Sequence, residues 1–141
     1  MKLGAIIGLG KIATTAHMPA YLQMNDRAKI IAGVDMQETA RNSFHEKYPD
    51  IKLYSGVEEL LLKESVDFVD ICTTPRSHYE ILKKSAEKNI NIICEKPYTS
   101  STQESLKVSD IIKRSSINFI PCHQYRYSPV WSEFKKIVAE S

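Results

Sequence analysis

The chain lacks any apolar stretch that could cross a bilayer: its longest apolar runs are about six residues, where a spanning helix needs about 20. Cysteine is scarce. Three of them, an odd number with no close pairing, fit a reducing cytoplasm better than a disulfide framework. No basic stripe and no block of like charge stands out among the 19 basic and 17 acidic residues, which leave a net charge of +2. That mixing argues against nucleic acid as a partner and against a charged tail. Met1-Lys2 runs directly into an apolar segment, so no secretory leader and a cytoplasmic location are expected. There is no internal repeat and no low-complexity segment. What remains is an ordinary globular composition, 43% hydrophobic and 26% charged over 141 residues, enough for one domain with a real core.

Glycine is also sparse, five in all, and two of them close the first apolar run. Leu3–Ile7 ends in Gly8-Leu9-Gly10-Lys11-Ile12-Ala13, and a helical pattern follows. Gly-x-Gly-x-x-Ala between strand and helix is the phosphate-binding turn of a dinucleotide fold. Gly8 permits the tight turn. Gly10 leaves room for a pyrophosphate on backbone N–H groups at the helix start, and Ala13 lets that helix lie close to the strand. A second apolar run, Ile30–Val34, ends in Asp35, roughly 20 residues beyond the turn, the spacing of a ribose-binding acid. The bland alternative is a solvated Asp opening a helix. A carboxylate there accepts hydrogen bonds from ribose hydroxyls and repels a 2′-phosphate, which favours NAD over NADP. Arg41 could meet a phosphate but reads as an exposed helix residue.

Apolar runs and helical stretches then alternate six times. Strands are expected over Leu3–Ile7, Lys29–Asp35, Lys52–Tyr54, Phe68–Cys72, Asn91–Cys94 and Asn118–Cys122. Helices are expected over Ile12–Gln23, Gln37–Lys47, Val57–Lys63, Ser77–Lys88, Ser101–Lys113 and from near Pro129. Most strands are unbroken apolar runs, as in a parallel sheet covered on both faces. Alternation of this kind specifies an α/β, Rossmann-type doubly wound sheet with right-handed crossovers. Ser101-Thr102-Gln103-Glu104 is a capping box, and Ser55 or Gly56 caps Val57.

Ligands of such sheets bind at the carboxyl ends of the strands. After the fourth run come Thr73-Thr74-Pro75-Arg76-Ser77-His78, after the fifth Glu95-Lys96-Pro97, after the sixth His123-Gln124-Tyr125-Arg126-Tyr127-Ser128-Pro129. Ionisable residues gathered at one sheet edge have the layout of an active site. Glu95-Lys96-Pro97 is either a surface turn with a solvated ion pair or a lysine held for proton transfer at a partly desolvated strand end.

These motifs, in this order, together with His17-Met18-Pro19-Ala20, resemble the N-terminal domain of the glucose–fructose oxidoreductase, inositol dehydrogenase and rhizopine catabolism family, Gfo/Idh/MocA. The resemblance implies a dinucleotide-binding domain over residues 1–122 and, over 123–141, the start of a second, α+β substrate domain before which the fold is truncated. It implies an NAD(P)-dependent oxidoreductase moving hydride between the nicotinamide and a secondary alcohol of a sugar, cyclitol or related polyol. It gives Lys96 the catalytic role. It places Gly8, Leu9, Gly10, Lys11, Ile12, Asp35, Thr73, Thr74, Pro75, His78, Glu95 and Lys96 around the cofactor, with Lys96–Pro97 a candidate cis bond. Homo-oligomerisation through the second domain is also implied. Arg76 departs from the family's usual Asn and cannot accept a hydrogen bond; it either meets an acidic substrate or phosphate, or points outward. A non-catalytic NAD(P)-binding module and a same-fold reductase of an imine are the alternatives.

Other residues read more plainly. Arg126 binds substrate or pairs with a carboxylate, and His123 is a candidate to face the pocket. His17 is a packing residue first and a cofactor contact second, and His45 a surface residue. Tyr125, Tyr127 and Trp131 read as interdomain packing. Cys72, Cys94 and Cys122 each end a strand and could approach one another. With no close-spaced ligand pair they read as apolar fillers, and no metal is expected.

Overall fold

The computed structural model describes residues 1–24 and 26–140. Six parallel strands run β1 (Lys2–Ile7), β2 (Ala28–Val34), β3 (Lys52–Tyr54), β4 (Phe68–Ile71), β5 (Asn91–Cys94) and β6 (Phe119–Pro121), in the order β3-β2-β1-β4-β5-β6. This is the doubly wound dinucleotide order, and its switch point falls between β1 and β4. The helices are α1 (Met18–Gln23), α2 (Glu38–Lys47), α3 (Val57–Lys63), α4 (Pro75–Glu87), α5 (Thr102–Arg114) and α6 (Pro129–Ala139). No helix is long and apolar enough to cross a membrane among the described residues.

The sheet buries two separate clusters. On one face Ala5, Ile7, Val34, Val69, Ile71 and Ile92 meet residues such as Leu60, Leu82 and Val108 from α3, α4 and α5. On the other, Ile6, Ile30 and Phe68 meet Met18, Tyr21 and Phe44 from α1 and α2. The parity of β2 changes midway: Gly4 pairs with Ile30, but Ala5 pairs with Ala32. The extra residue, Ile31, is a bulge. It explains why Ile30 and Ala32, two apart, belong to opposite faces.

Element boundaries follow the sequence closely, with three instructive differences. The first helix is not regular: Ala13–His17 is π-helical before α1 begins. Two strong apolar anchors, buried Ala13 and Met18, sit five apart and are served by the wider turn. Helix α4 begins at Pro75 rather than Ser77, because proline's fixed φ and missing N–H suit the first helical position. At α5 the Ser101 side chain accepts from the Glu104 N–H, but Glu104 reaches back to the N–H of Ser100, one residue earlier than in a simple capping box. Gly56 precedes α3 without any side-chain cap.

Candidate functional site

The carboxyl ends of β1 and β2 make a turn dominated by backbone. Gly8 has φ of 91°, and a Cβ there would lie 2.9 Å from the Cys72 carbonyl group, so glycine alone fits. A Cβ on Gly10 would meet nothing within 4 Å. The bare face of Gly10 opens onto free space at the edge where helical backbone starts, at Lys11. First-turn amides have no acceptor earlier in the helix and point at that space. Asp35 closes the turn: its Oδ2 accepts from the Leu9 N–H at 2.9 Å and its Oδ1 from the Gln37 N–H at 2.9 Å. Each oxygen keeps further lone-pair capacity for an incoming hydroxyl. Arg41 is not simply an exposed helix residue. Its guanidinium donates to the carbonyls of Asp35 and Met36, at 2.8 and 3.1 Å, and holds the loop after β2. These groups fit a dinucleotide: first-turn amides at a helix start, an unobstructed glycine and an acid with acceptor capacity to spare.

Across the switch point the ends of β4 and β5 contribute side chains. Thr74 caps α4, and Ser77 donates to Thr74 O and Thr73 Oγ1, both at 2.9 Å. His78 is fully buried between two loops, with Nε2 3.0 Å from Thr73 O and Nδ1 3.1 Å from Pro97 O. Its visible work is to tie the loop after β4 to the one after β5. The Lys96–Pro97 bond is cis. Glu95 accepts from the Lys96 N–H at 3.0 Å, and the Lys96 side chain stands exposed at the sheet edge. His123 and Arg126 lie beyond β6 and are both exposed; among the described residues no side-chain hydrogen bond or ion pair joins either to the other strand-end groups. A groove of about 300 Å³ between α1 and the end of α2 is lined by Met18, Tyr21, Leu22 and Pro49 and includes none of these groups.

Beneath the edge is a polar cluster that sequence reasoning did not assemble. Asp70, on β4, is completely buried on the α1 face. His17 Nδ1 lies 2.7 Å from its Oδ2, the Tyr21 hydroxyl donates to the same oxygen at 2.9 Å, and Cys72 Sγ donates to Oδ1 at 3.6 Å. His17 Nε2 lies 3.1 Å from Glu95 Oε1, so one imidazole joins a carboxylate in the core to one at the sheet edge. The Asp70 hydrogen bond does most to raise the His17 pKa, burial opposes it, and Glu95 adds to the rise. Burial pushes the Tyr21 hydroxyl and the Cys72 thiol far up, so both stay protonated donors. The Cys94 and Cys122 thiols are each pushed up to about 12, burial again being the main cause. His17, expected to be a packing residue first and a cofactor contact second, is placed between Asp70 and Glu95. Asp70 and Tyr21 were missed, although a signal existed. An Asp inside the apolar run Phe68-Val69-Asp70-Ile71-Cys72 is a buried polar residue in need of partners. His17 and Tyr21 are four apart on one helical face.

Comparison with known proteins agrees with this geometry. A model of an oxidoreductase family with an NAD-binding Rossmann fold, GFO_IDH_MocA, matches residues 3–122. An uncharacterized oxidoreductase, C115.03, of Schizosaccharomyces pombe is 26% identical over 95% of this chain and 37% of its own length. D-glucoside 3-dehydrogenase of Escherichia coli K12 is 27% identical over 78% of this chain and 31% of its own length. The WlbA dehydrogenase of Chromobacterium violaceum, solved in complex with NADH and UDP-GlcNAcA, superposes with a TM-score of 0.92 at 20% identity, over 99% of this chain and 40% of that one. At that identity the likeness speaks for the fold. The chain thus spans roughly a third to two fifths of the length of these proteins.

Proposed function

The chain belongs to the Gfo/Idh/MocA oxidoreductase family, and from that premise we propose that it binds NAD and forms the cofactor half of a dehydrogenase acting on a secondary alcohol of a sugar, cyclitol or related polyol. The observation that carries this reading is the Gly8–Gly10 turn with Asp35 bound to its Leu9 amide. NAD is favoured over NADP on two grounds. The Asp35 carboxylate repels a 2′-phosphate. Arg41, a cation that could offset that repulsion, is engaged with loop carbonyls.

Bound nicotinamide supplies the hydride-accepting chemistry. The chain's own residues supply the rest. The amides of the turn hold the diphosphate, and Asp35 accepts from the ribose hydroxyls. Thr73, Thr74 and Pro75 form the wall after β4, which His78 braces from behind. Lys96, exposed at the end of β5, takes the proton of the substrate hydroxyl, and Glu95 lies on the nicotinamide side. His123 and Arg126 are assigned to the substrate side, beyond β6. The residues that choose among alcohols belong to the further length that relatives possess, as does subunit contact.

Fluorescence titration of the chain with NADH and NADPH tests the binding half. NADH binds saturably and more tightly than NADPH, and Asp35→Ala weakens NADH by about 1–3 kcal/mol, the worth of charge-assisted hydrogen bonds. An equal or stronger preference for NADPH overturns the NAD reading. For turnover with NAD and a panel of sugars and inositols, measured on a protein that carries the further length its relatives possess, Lys96→Ala lowers kcat by on the order of 10²–10⁴-fold while leaving NADH affinity nearly unchanged. Normal turnover in that variant removes Lys96 from proton transfer.

A further inference from the structure

We infer that His17, Glu95 and Cys122 form a binding site for one divalent transition-metal ion of the zinc class, at the carboxyl edge of β5 and β6. A ring nitrogen of His17, a Glu95 carboxylate oxygen and Cys122 Sγ all lie within 4.8 Å of one another. They come from three separate elements: the π-helical segment before α1, the residue after β5 and the residue after β6. Around a tetrahedral zinc ion, with bonds of about 2.0–2.3 Å, such donor atoms stand about 3.3–3.6 Å apart. Nε2 and Glu95 Oε1 are already 3.1 Å apart. Cys122 is only half-buried and closes the remainder by a side-chain rotation. One nitrogen, one oxygen and one sulfur donor select zinc, cobalt or a similar ion over magnesium or calcium. Three protein ligands leave a fourth position open.

The second observation lies behind the ligands. A metal-bound histidine almost always donates its other ring N–H to a carboxylate, a backbone carbonyl or a water, which fixes the tautomer and the ring plane. Here His17 Nδ1 faces Asp70 Oδ2 at 2.7 Å, and the Tyr21 hydroxyl holds that same oxygen. The supporting shell is therefore already built, with Nε2 facing Glu95 and holding a proton that an ion would displace. A rival group, His17 with Asp70 and Cys72, has donor atoms equally close. It is disfavoured because both partners are sealed in the core and would have to give up the hydrogen bonds that now satisfy them. Ion binding at the outer site exchanges the Nε2 and thiol protons for the metal and leaves the core pair intact.

Cobalt(II) titration of the reduced, chelator-stripped 141-residue chain, without dinucleotide, tests the site independently of the proposed function. The expected result is saturable binding of one ion per chain with a thiolate-to-cobalt absorption band in the near ultraviolet, displaced by zinc. Cys122→Ser abolishes the band, Cys72→Ser retains it, and Asp70→Asn weakens binding about 10–100-fold. Circular dichroism on each variant separates loss of ligand from loss of fold, and Cys122→Ser, at a half-buried edge position, preserves the fold. Absence of saturable binding, binding without a thiolate band, or a band lost in Cys72→Ser and kept in Cys122→Ser overturns the assignment.

Discussion

The sheet separates two unlike interiors. On the face covered by α3, α4 and α5 the core is apolar, and its buried polar residues, Ser85 and His78, are satisfied by backbone carbonyls. The face covered by α1 and α2 is also apolar at its centre, but it encloses the Asp70 carboxylate with His17, Tyr21 and Cys72 around it. A buried carboxylate is poor evidence for stability, since desolvation offsets much of what pairing returns. The difference teaches that the first face is built to hold the domain together, whereas the second spends part of its interior on a polar bridge that positions His17 beside Glu95 at the carboxyl edge of the sheet.

Breaking one member of the buried cluster produces the largest effect. Asp70→Leu leaves the His17 ring and the Tyr21 hydroxyl without their shared acceptor and lowers unfolding free energy by about 3–5 kcal/mol in urea denaturation. The triple variant His17→Leu, Tyr21→Phe, Asp70→Leu removes Asp70 together with both side chains that share its Oδ2, and recovers most of that loss. A triple variant as unstable as the single one would show that the cluster itself is a main source of stability, and the contrast between the faces would fail. On the dry face, Leu82→Ala opens a cavity under α4 and costs about 2–5 kcal/mol, with NADH affinity in the surviving folded protein unchanged.

Gly10→Ala sharpens the contrast from the ligand side. The added methyl meets no protein atom within 4 Å, and the backbone there is not in the left-handed region. Stability therefore changes by no more than about 1 kcal/mol, the usual range of a glycine-to-alanine exchange at a compatible site. On the proposed reading NADH affinity falls at least tenfold, about 1.4 kcal/mol, because the methyl enters the space assigned to the diphosphate. Unchanged affinity by fluorescence titration would place the diphosphate elsewhere.

Strand, turn and cap positions were legible because each depends on neighbours in sequence. The Gly8 conformation, the Ser101 cap and the spans of β3, β5 and α3 are all local matters. The His17–Asp70–Glu95 bridge was not legible. Its members are 53 and 78 residues apart, and only the strand order brings them together. The π-helical turn that sets His17 at the right angle has no local signature either, since Ala13–His17 carries ordinary helix-compatible residues. Arg41 was misread for a related reason: periodicity assigns a face to a long side chain but not the carbonyls toward which it curls.

The smallest expected effect compares Asp70 with its neighbour at the start of the same strand segment. Asp67 sits at the rim, where its Oδ1 accepts from Lys2 Nζ at 2.7 Å and its Oδ2 from the Leu3 N–H at 2.8 Å. The Lys2 hydrogen bond, and then the Leu3 amide, hold its pKa below the usual carboxylate value. A folded pKa below the unfolded one means the stabilisation is present above the unfolded value, near 3.9, and is lost as pH falls through the folded one. Exposure and salt screening keep the contribution small, as for most surface pairs. Lys2→Met therefore lowers Tm slightly at pH 7 and low ionic strength. The gap to wild type narrows in high salt and closes as the pH falls through the lowered Asp67 pKa, where the carboxyl becomes protonated in both proteins. A gap that persists in acid would mean that Lys2 acts through its packing against β1 and not through its charge.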